Sequence, residues 1–127
     1  IKNNLKPNGV GVIQAIIIKD ELFERYRKNQ DFIQKYIFPG GFLPSLESIK
    51  NYSKRTGLIL KSHHSYGKHY SKTLSIWRKN FINSWSQISE QGFDNSFKKI
   101  WDFYFSYCEA GFNSKNIDLI QFSVKNK

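Results

Sequence analysis

Val10-Gly-Val-Ile-Gln-Ala-Ile-Ile-Ile18 decides how the rest of the chain is read. It is a short β-branched run, preceded by the turn signal Pro7-Asn-Gly9 and followed by the charged pair Lys19-Asp20. A run of this kind reads as a strand covered on both faces, the habit of a parallel sheet. Gln14 is its one polar residue, and a buried amide must find a hydrogen-bond partner or line a site. Working outward, Asp20 reads as the N-cap of a helix that extends to about Lys35, with a break near Asn29. Its aromatic end meets Pro39-Gly40-Gly41, an abrupt reversal that glycine permits. Ser45 caps a second helix, 46–56, and Gly57 suits the position just past its end.

Leu58 to Leu60 open a second strand that extends toward Tyr66. Tyr70, Leu74, Trp77, Phe81, Trp85 and Ile88 then recur at helical steps, as do Phe97, Trp101, Tyr104, Cys108 and Phe112 after Gly92 and the cap Asp94. A last strand covers 117–124. The order β, α, α, β, α, α, β favours an α/β sheet with flanking helices. Three strands are few for an autonomous sheet of that class, so part of the sheet is expected outside this chain. The lack of any Met, with Ile1 opening a loop that leads into a strand, is read the same way.

The 127 residues are enough for one domain. Aromatic residues make up 17% of them, an amount that argues for a packed core and against disorder. No apolar run is long enough to span a bilayer. The net charge of +10 favours anionic partners (nucleic acid, an acidic membrane surface or an acidic protein), although basic residues scattered in this way also make a plain solvated surface. The regular burial stripes commit the rings to a core and argue against nucleic-acid binding. His63, His64 and His69 lack an acidic or cysteine companion at zinc spacing, and alternation along a strand sends His63 and His64 to opposite faces. No metal site is read from them.

Three separated segments resemble a known family in order and spacing: Asp31-Phe-Ile-Gln-Lys-Tyr-Ile-Phe-Pro-Gly-Gly-Phe-Leu-Pro-Ser45, Tyr70-Ser-Lys-Thr-Leu-Ser-Ile-Trp77 and Tyr107-Cys-Glu-Ala-Gly-Phe112. Glu24-Arg-Tyr-Arg27 and Gly92-Phe-Asp94 agree. The chain resembles the C-terminal part of the cyclopropane-fatty-acyl-phospholipid synthase family, which are S-adenosylmethionine-dependent methyltransferases. The resemblance implies the C-terminal half of a Rossmann-like class I methyltransferase fold, an incomplete sheet whose last strand is antiparallel. Its parts are a strand (9–18), an insertion helix with the Phe-Pro-Gly-Gly turn (20–45), helix, strand and helix (45–90), and a helix with the last strand (93–125).

The reaction implied is methylene transfer to the cis double bond of an unsaturated phospholipid acyl chain, at an anionic membrane surface on the inner, cytoplasmic side. S-adenosylmethionine and bicarbonate are the implied cofactors. No S-adenosylmethionine-binding residue is expected in this chain, whose Gly9-Val-Gly11 leads into a strand and not out of one. The chain alone is therefore expected to be inactive. By resemblance, Tyr70, Gln14 and Ile16 match positions that hold bicarbonate, and Phe38, Leu43, Leu74 and Cys108 match positions near the acyl chain. At Gln14 several family members carry His, and Gln cannot titrate. Read from the residues alone, Phe38 serves equally as core, and Leu43, Leu74 and Cys108 read better as core than as pocket. Other readings are a relative that makes methyl-branched chains, and a non-catalytic remnant that self-associates through an exposed sheet edge.

Overall fold

The computed structural model describes all residues from Ile1 to Lys127. Three strands form one sheet: β1 (Val10–Ile18), β2 (Leu58–Ser65) and β3 (Ile117–Asn126). Five α-helices accompany them: α1 (Asp20–Lys28), α2 (Leu46–Arg55), α3 (Gly67–Asn83), α4 (Trp85–Ser89) and α5 (Asn95–Asn113). β3 lies between the other two and pairs antiparallel with both, so β1 and β2 run parallel to each other without touching. The expected antiparallel last strand is thus the centre of the sheet. Its central place follows from its sequence, because Leu119, Ile120, Phe122 and Val124 are all buried.

Alternation assigns the two faces. Ile17 on β1 and Ile120, Phe122 and Val124 on β3 meet Leu58 of β2 and Ile49 of α2 on one side. On the other, Leu119 joins Leu74 of α3 and Phe105 and Phe112 of α5, with Ile16 packed against them. The α3 and α5 stripes read from the sequence face each other here, and Phe81 touches Phe105 with ring centroids 5.8 Å apart.

The structure corrects several expectations. β1 is not covered on both faces: Val10 and Val12 are 57% and 70% exposed, because the helices pack over the carboxyl end of the strand only. The helix that begins at Asp20 stops at Lys28, and a separate turn of π-helix spans Ile33–Ile37. Asp20 does not cap its own helix. Its carboxylate accepts the Glu47 amide at 2.9 Å, in the first turn of α2. The Tyr70–Ile88 stripe is two helices, not one, separated at Ser84.

The other caps stand as read. The Ser45 hydroxyl accepts from the Ser48 amide, with Ser48 reciprocating, Gly57 has φ of +74°, and Asp94 accepts from the Phe97 amide. His63 pairs with Phe122 and His64 with Gln121, which puts the two histidines on opposite faces.

Candidate active site

A cavity of about 750 Å³ opens where the carboxyl end of β1 meets α1, α3, α5 and the 29–43 segment. Ile16 and Ile18 form its sheet wall. Leu22 and Tyr26 come from α1, Tyr70 and Leu74 from α3, and Tyr104, Cys108 and Phe112 from α5. Phe38, Phe42 and Leu43 close it from the Pro-Gly-Gly turn. Ligand crevices of α/β sheets form at the carboxyl ends of strands, where the diverging connections leave room.

Local chemistry holds the turn in place. The Asp31 carboxylate accepts the Gln34 amide at 2.8 Å, and the Asp31 amide donates to Gln34 Oε1 at 3.0 Å. This reciprocal pair caps the short π-helical turn. Gln34 Nε2 then donates to the Gly41 carbonyl at 3.0 Å. Gly41 donates to the Phe38 carbonyl at 2.8 Å, and Gly40 between them has φ of +81°. A Cβ on Gly41 would stand 2.9 Å from the Phe38 carbonyl oxygen, so the second glycine is required by contact and the first by conformation. The Leu43 amide donates to the Tyr26 hydroxyl at 3.1 Å and ties the far side of the turn to α1.

Six of the seven residues singled out from the sequence line this one cavity: Ile16, Phe38, Leu43, Tyr70, Leu74 and Cys108. Gln14 does not. It is exposed, and its side-chain oxygen accepts a hydrogen bond from Gln121 Nε2 at 3.1 Å across the sheet. The expectation of a buried amide fails because nothing in this chain covers that part of β1. Leu74 serves as core and as pocket together, since it is 1% exposed and also lines the cavity.

Tyr26, Tyr104 and Tyr107 also line the cavity; Tyr26 and Tyr107 fall within segments that carry the resemblance without being singled out by it, and Tyr104 lies outside them. Tyr104 lies in plain view on the α5 stripe. The Phe38 and Tyr104 rings meet edge-on, 6.2 Å between centroids.

The tyrosine hydroxyls and the thiol on this wall are held neutral. Burial pushes the Tyr104 hydroxyl up to about 12 and the Cys108 thiol up to about 11. Burial likewise raises Tyr26, Tyr70 and Tyr107. A thiol kept protonated is a poor nucleophile. The α3 and α5 side of the cavity is therefore apolar and aromatic, with neutral hydroxyls, while Arg25 and Asp31 add charge on the α1 side.

A match to the family described as Mycolic acid cyclopropane synthetase spans residues 1–122. The chain belongs to this family. Among curated relatives, tuberculostearic acid methyltransferase UfaA1 of Mycobacterium tuberculosis is 38% identical over 121 residues, covering 94% of this chain and 28% of the relative. The cyclopropane-fatty-acyl-phospholipid synthase of Escherichia coli is 31% identical over 122 residues, covering 95% of this chain and 30% of the synthase. This member of the synthetase family therefore spans less than a third of the length of those two relatives.

Solved structures agree on the fold. Mycolic acid cyclopropane synthase CmaA1, complexed with SAH and CTAB, superposes with a TM-score of 0.79 at 27% identity, covering 95% of this chain and 45% of CmaA1. MmaA2 of Mycobacterium tuberculosis gives the same TM-score at 25% identity, covering 94% of this chain and 45% of its own. The fold is that of part of a class I methyltransferase, and the family is one of methyltransferases.

Proposed function

We propose that this chain is the acyl-binding part of a cyclopropane synthase, which adds one carbon from S-adenosylmethionine to the cis double bond of an unsaturated phospholipid acyl chain. The observation that carries the reading is the largely apolar, aromatic cavity at the carboxyl end of β1, with Arg25 and Asp31 as its charged lining residues, and with six residues to which the family resemblance points. S-adenosylmethionine supplies an electrophilic methyl group, and CmaA1, which resembles this chain in structure, is complexed with SAH.

The chain's own residues suit the rest of the chemistry. When the double bond takes the methyl carbon, positive charge develops on the acyl chain. Ring faces such as those of Phe38 and Tyr104 stabilise a cation without bonding to it. The apolar wall excludes water that would trap it, and the protonated Cys108 thiol does not compete. A proton must then leave so that the ring closes. The Tyr70 hydroxyl lines the cavity and engages no protein hydrogen bond, so it is free to donate one to an anion such as bicarbonate. Ile16 lies in the same cavity, whereas Gln14 is outside it and takes no part in this reading.

Methyl donation without ring closure is the second reading: the cation loses a proton to a base and leaves a methylene- or methyl-branched olefinic chain, whose saturation would need a separate hydride donor. The observation in its favour is the 38% identity to a tuberculostearic acid methyltransferase. We place the donor-binding residues outside this chain, take the chain alone to be inactive, and place the working enzyme at the inner, cytoplasmic face of an anionic membrane.

The test is a chimera in which residues 1–122 replace the matching part of the Escherichia coli synthase, produced in cells that lack their own synthase. Cyclopropane acyl chains in the lipid extract support the main reading, and methylene- or methyl-branched chains the second. A folded chimera yielding neither would leave a non-catalytic remnant as the better explanation.

A further inference from the structure

Beside the cavity mouth lies an aromatic surface that the core does not use. Phe32 sits at its centre, 4.7 Å from Phe103, 5.5 Å from Tyr36 and 5.9 Å from Tyr107, measured between ring centroids. Tyr36, Phe103 and Tyr107 are 55%, 51% and 41% exposed. Clustered exposed rings of this kind mark a contact surface more often than chance does. The cluster is continuous with the cavity, because Tyr107 lines both.

The charges around it are mixed, with basic residues in the majority. Lys35 lies 5.0 Å over the Tyr36 ring, and α1 ends in Arg25, Arg27 and Lys28. Of the nearby carboxylates, Glu24 is paired by Arg27 and Asp102 by Arg78, while Asp31 accepts the Gln34 amide and keeps its charge. Of the chain's twenty basic residues, only Arg27 and Arg78 form an ion pair. Lys35, Lys28 and Arg25 are left to meet an external anion.

We propose that this face, the π-helical turn together with the outer side of α5, is where the protein seats on an anionic lipid leaflet. Rings at headgroup depth flanked by lysine and arginine are how interfacial segments hold a bilayer. Seated this way, the cavity mouth opens toward the acyl region, and a chain enters without crossing water. The inference rests on the acyl-chain reading of the cavity and names the surface that delivers the substrate to it.

The test is sedimentation of the 127-residue chain with vesicles rich in phosphatidylglycerol and, separately, with pure phosphatidylcholine vesicles. Binding to the anionic vesicles is expected, weakening as salt is raised. Phe103→Asp combined with Tyr36→Asp should reduce it about tenfold or more, and Lys35→Glu should also reduce it. Tyr52→Asp, an equally exposed ring on α2, should leave it unchanged; all of these side chains are at the surface, and circular dichroism checks that the variants fold.

Wild-type protein that stays in solution overturns the proposal, and so does equal loss with Tyr52→Asp. A soluble dimer that Phe103→Asp splits also overturns it, because the face would then belong to a second copy. A nitroxide fatty acid below its micellar concentration separates the two ideas. If Phe103→Asp with Tyr36→Asp still binds it but no longer binds vesicles, the cavity and the docking face are both supported; wild-type protein that binds vesicles but not the fatty acid contradicts the cavity reading alone.

Discussion

Removing a single oxygen from Tyr26 tests how the cavity is closed. The Leu43 amide donates to that hydroxyl at 3.1 Å, and the bond spans 17 positions of sequence, from α1 to the end of the turn. Tyr26→Phe keeps the ring and its tilted contact with Phe42, at 5.4 Å between centroids, so only the hydrogen bond is lost. Both residues are half-buried, which puts the cost near the middle of the usual range, about 1 kcal/mol. For a domain of this size that is roughly 4 °C in Tm.

The loss should be felt first locally, since the turn opens more readily than the sheet. Amide hydrogen exchange at Leu43 should speed up about fivefold, and Ile120 and Val124, which exchange through global unfolding, by no more than that. Tyr26→Leu, which also discards the contact with Phe42, should cost about 1 kcal/mol more. Unchanged exchange at Leu43 with unchanged stability would refute the claim that this bond holds the turn.

Other expectations follow from the same geometry. Leu74→Ala should destabilise by about 2–5 kcal/mol in urea unfolding, because Leu74 is almost wholly enclosed by Phe105, Phe112 and Leu119. Ser45→Ala should cost about 1 kcal/mol through loss of the α2 cap. Asp20 has its carboxyl pKa lowered by hydrogen bonding to the Ser45 hydroxyl and the Glu47 amide. The stability it adds is therefore present above the unfolded carboxyl value and lost as pH falls through the lower folded one, so wild type and Asp20→Asn should converge in acid. Cys108, held at about 11 by burial, should react with iodoacetamide at pH 8.5 roughly tenfold or more slowly than free cysteine, and more slowly again with a long-chain fatty acid present.

Much of the fold is legible in the sequence because it rests on local rules. Ser45, Gly57 and Asp94 announce their caps by residue type, and the α3 and α5 stripes announce their buried faces by spacing. The cap made by Asp20 is not legible because its partner, Glu47, is distant in sequence, and an N-cap residue type does not say which helix it serves. The exposure of Val12 and Gln14 is hidden for a related reason. A β-branched run shows that a strand forms but not what covers it, and here the covering helices stop at Ile16. The break at Ser84 has no proline or glycine to mark it.

At the site, the Phe38-Pro-Gly-Gly41 turn, Tyr70 and Cys108 are visible through family resemblance. Tyr104 is visible only as part of a core stripe, since periodicity cannot separate a core wall from a cavity wall when one helix face supplies both. The Asp31 and Gln34 pair has a readable signature, an acidic cap with Gln three residues on. Expecting α1 to extend to Lys35 obscures it.

If the cavity has the role proposed, an acyl chain occupies the space between Ile16, Leu43, Leu74 and Phe112. Nuclear magnetic resonance of the methyl-labelled protein, with a fatty acid carrying a nitroxide near mid-chain, reads that occupancy residue by residue. The Ile16, Leu43 and Leu74 methyl signals should broaden, while Ile13, Ile49 and Val124 on the opposite face of the sheet stay sharp. Broadening of the Ile49 and Val124 signals instead, or none anywhere at saturating fatty acid, would contradict the acyl-chain reading.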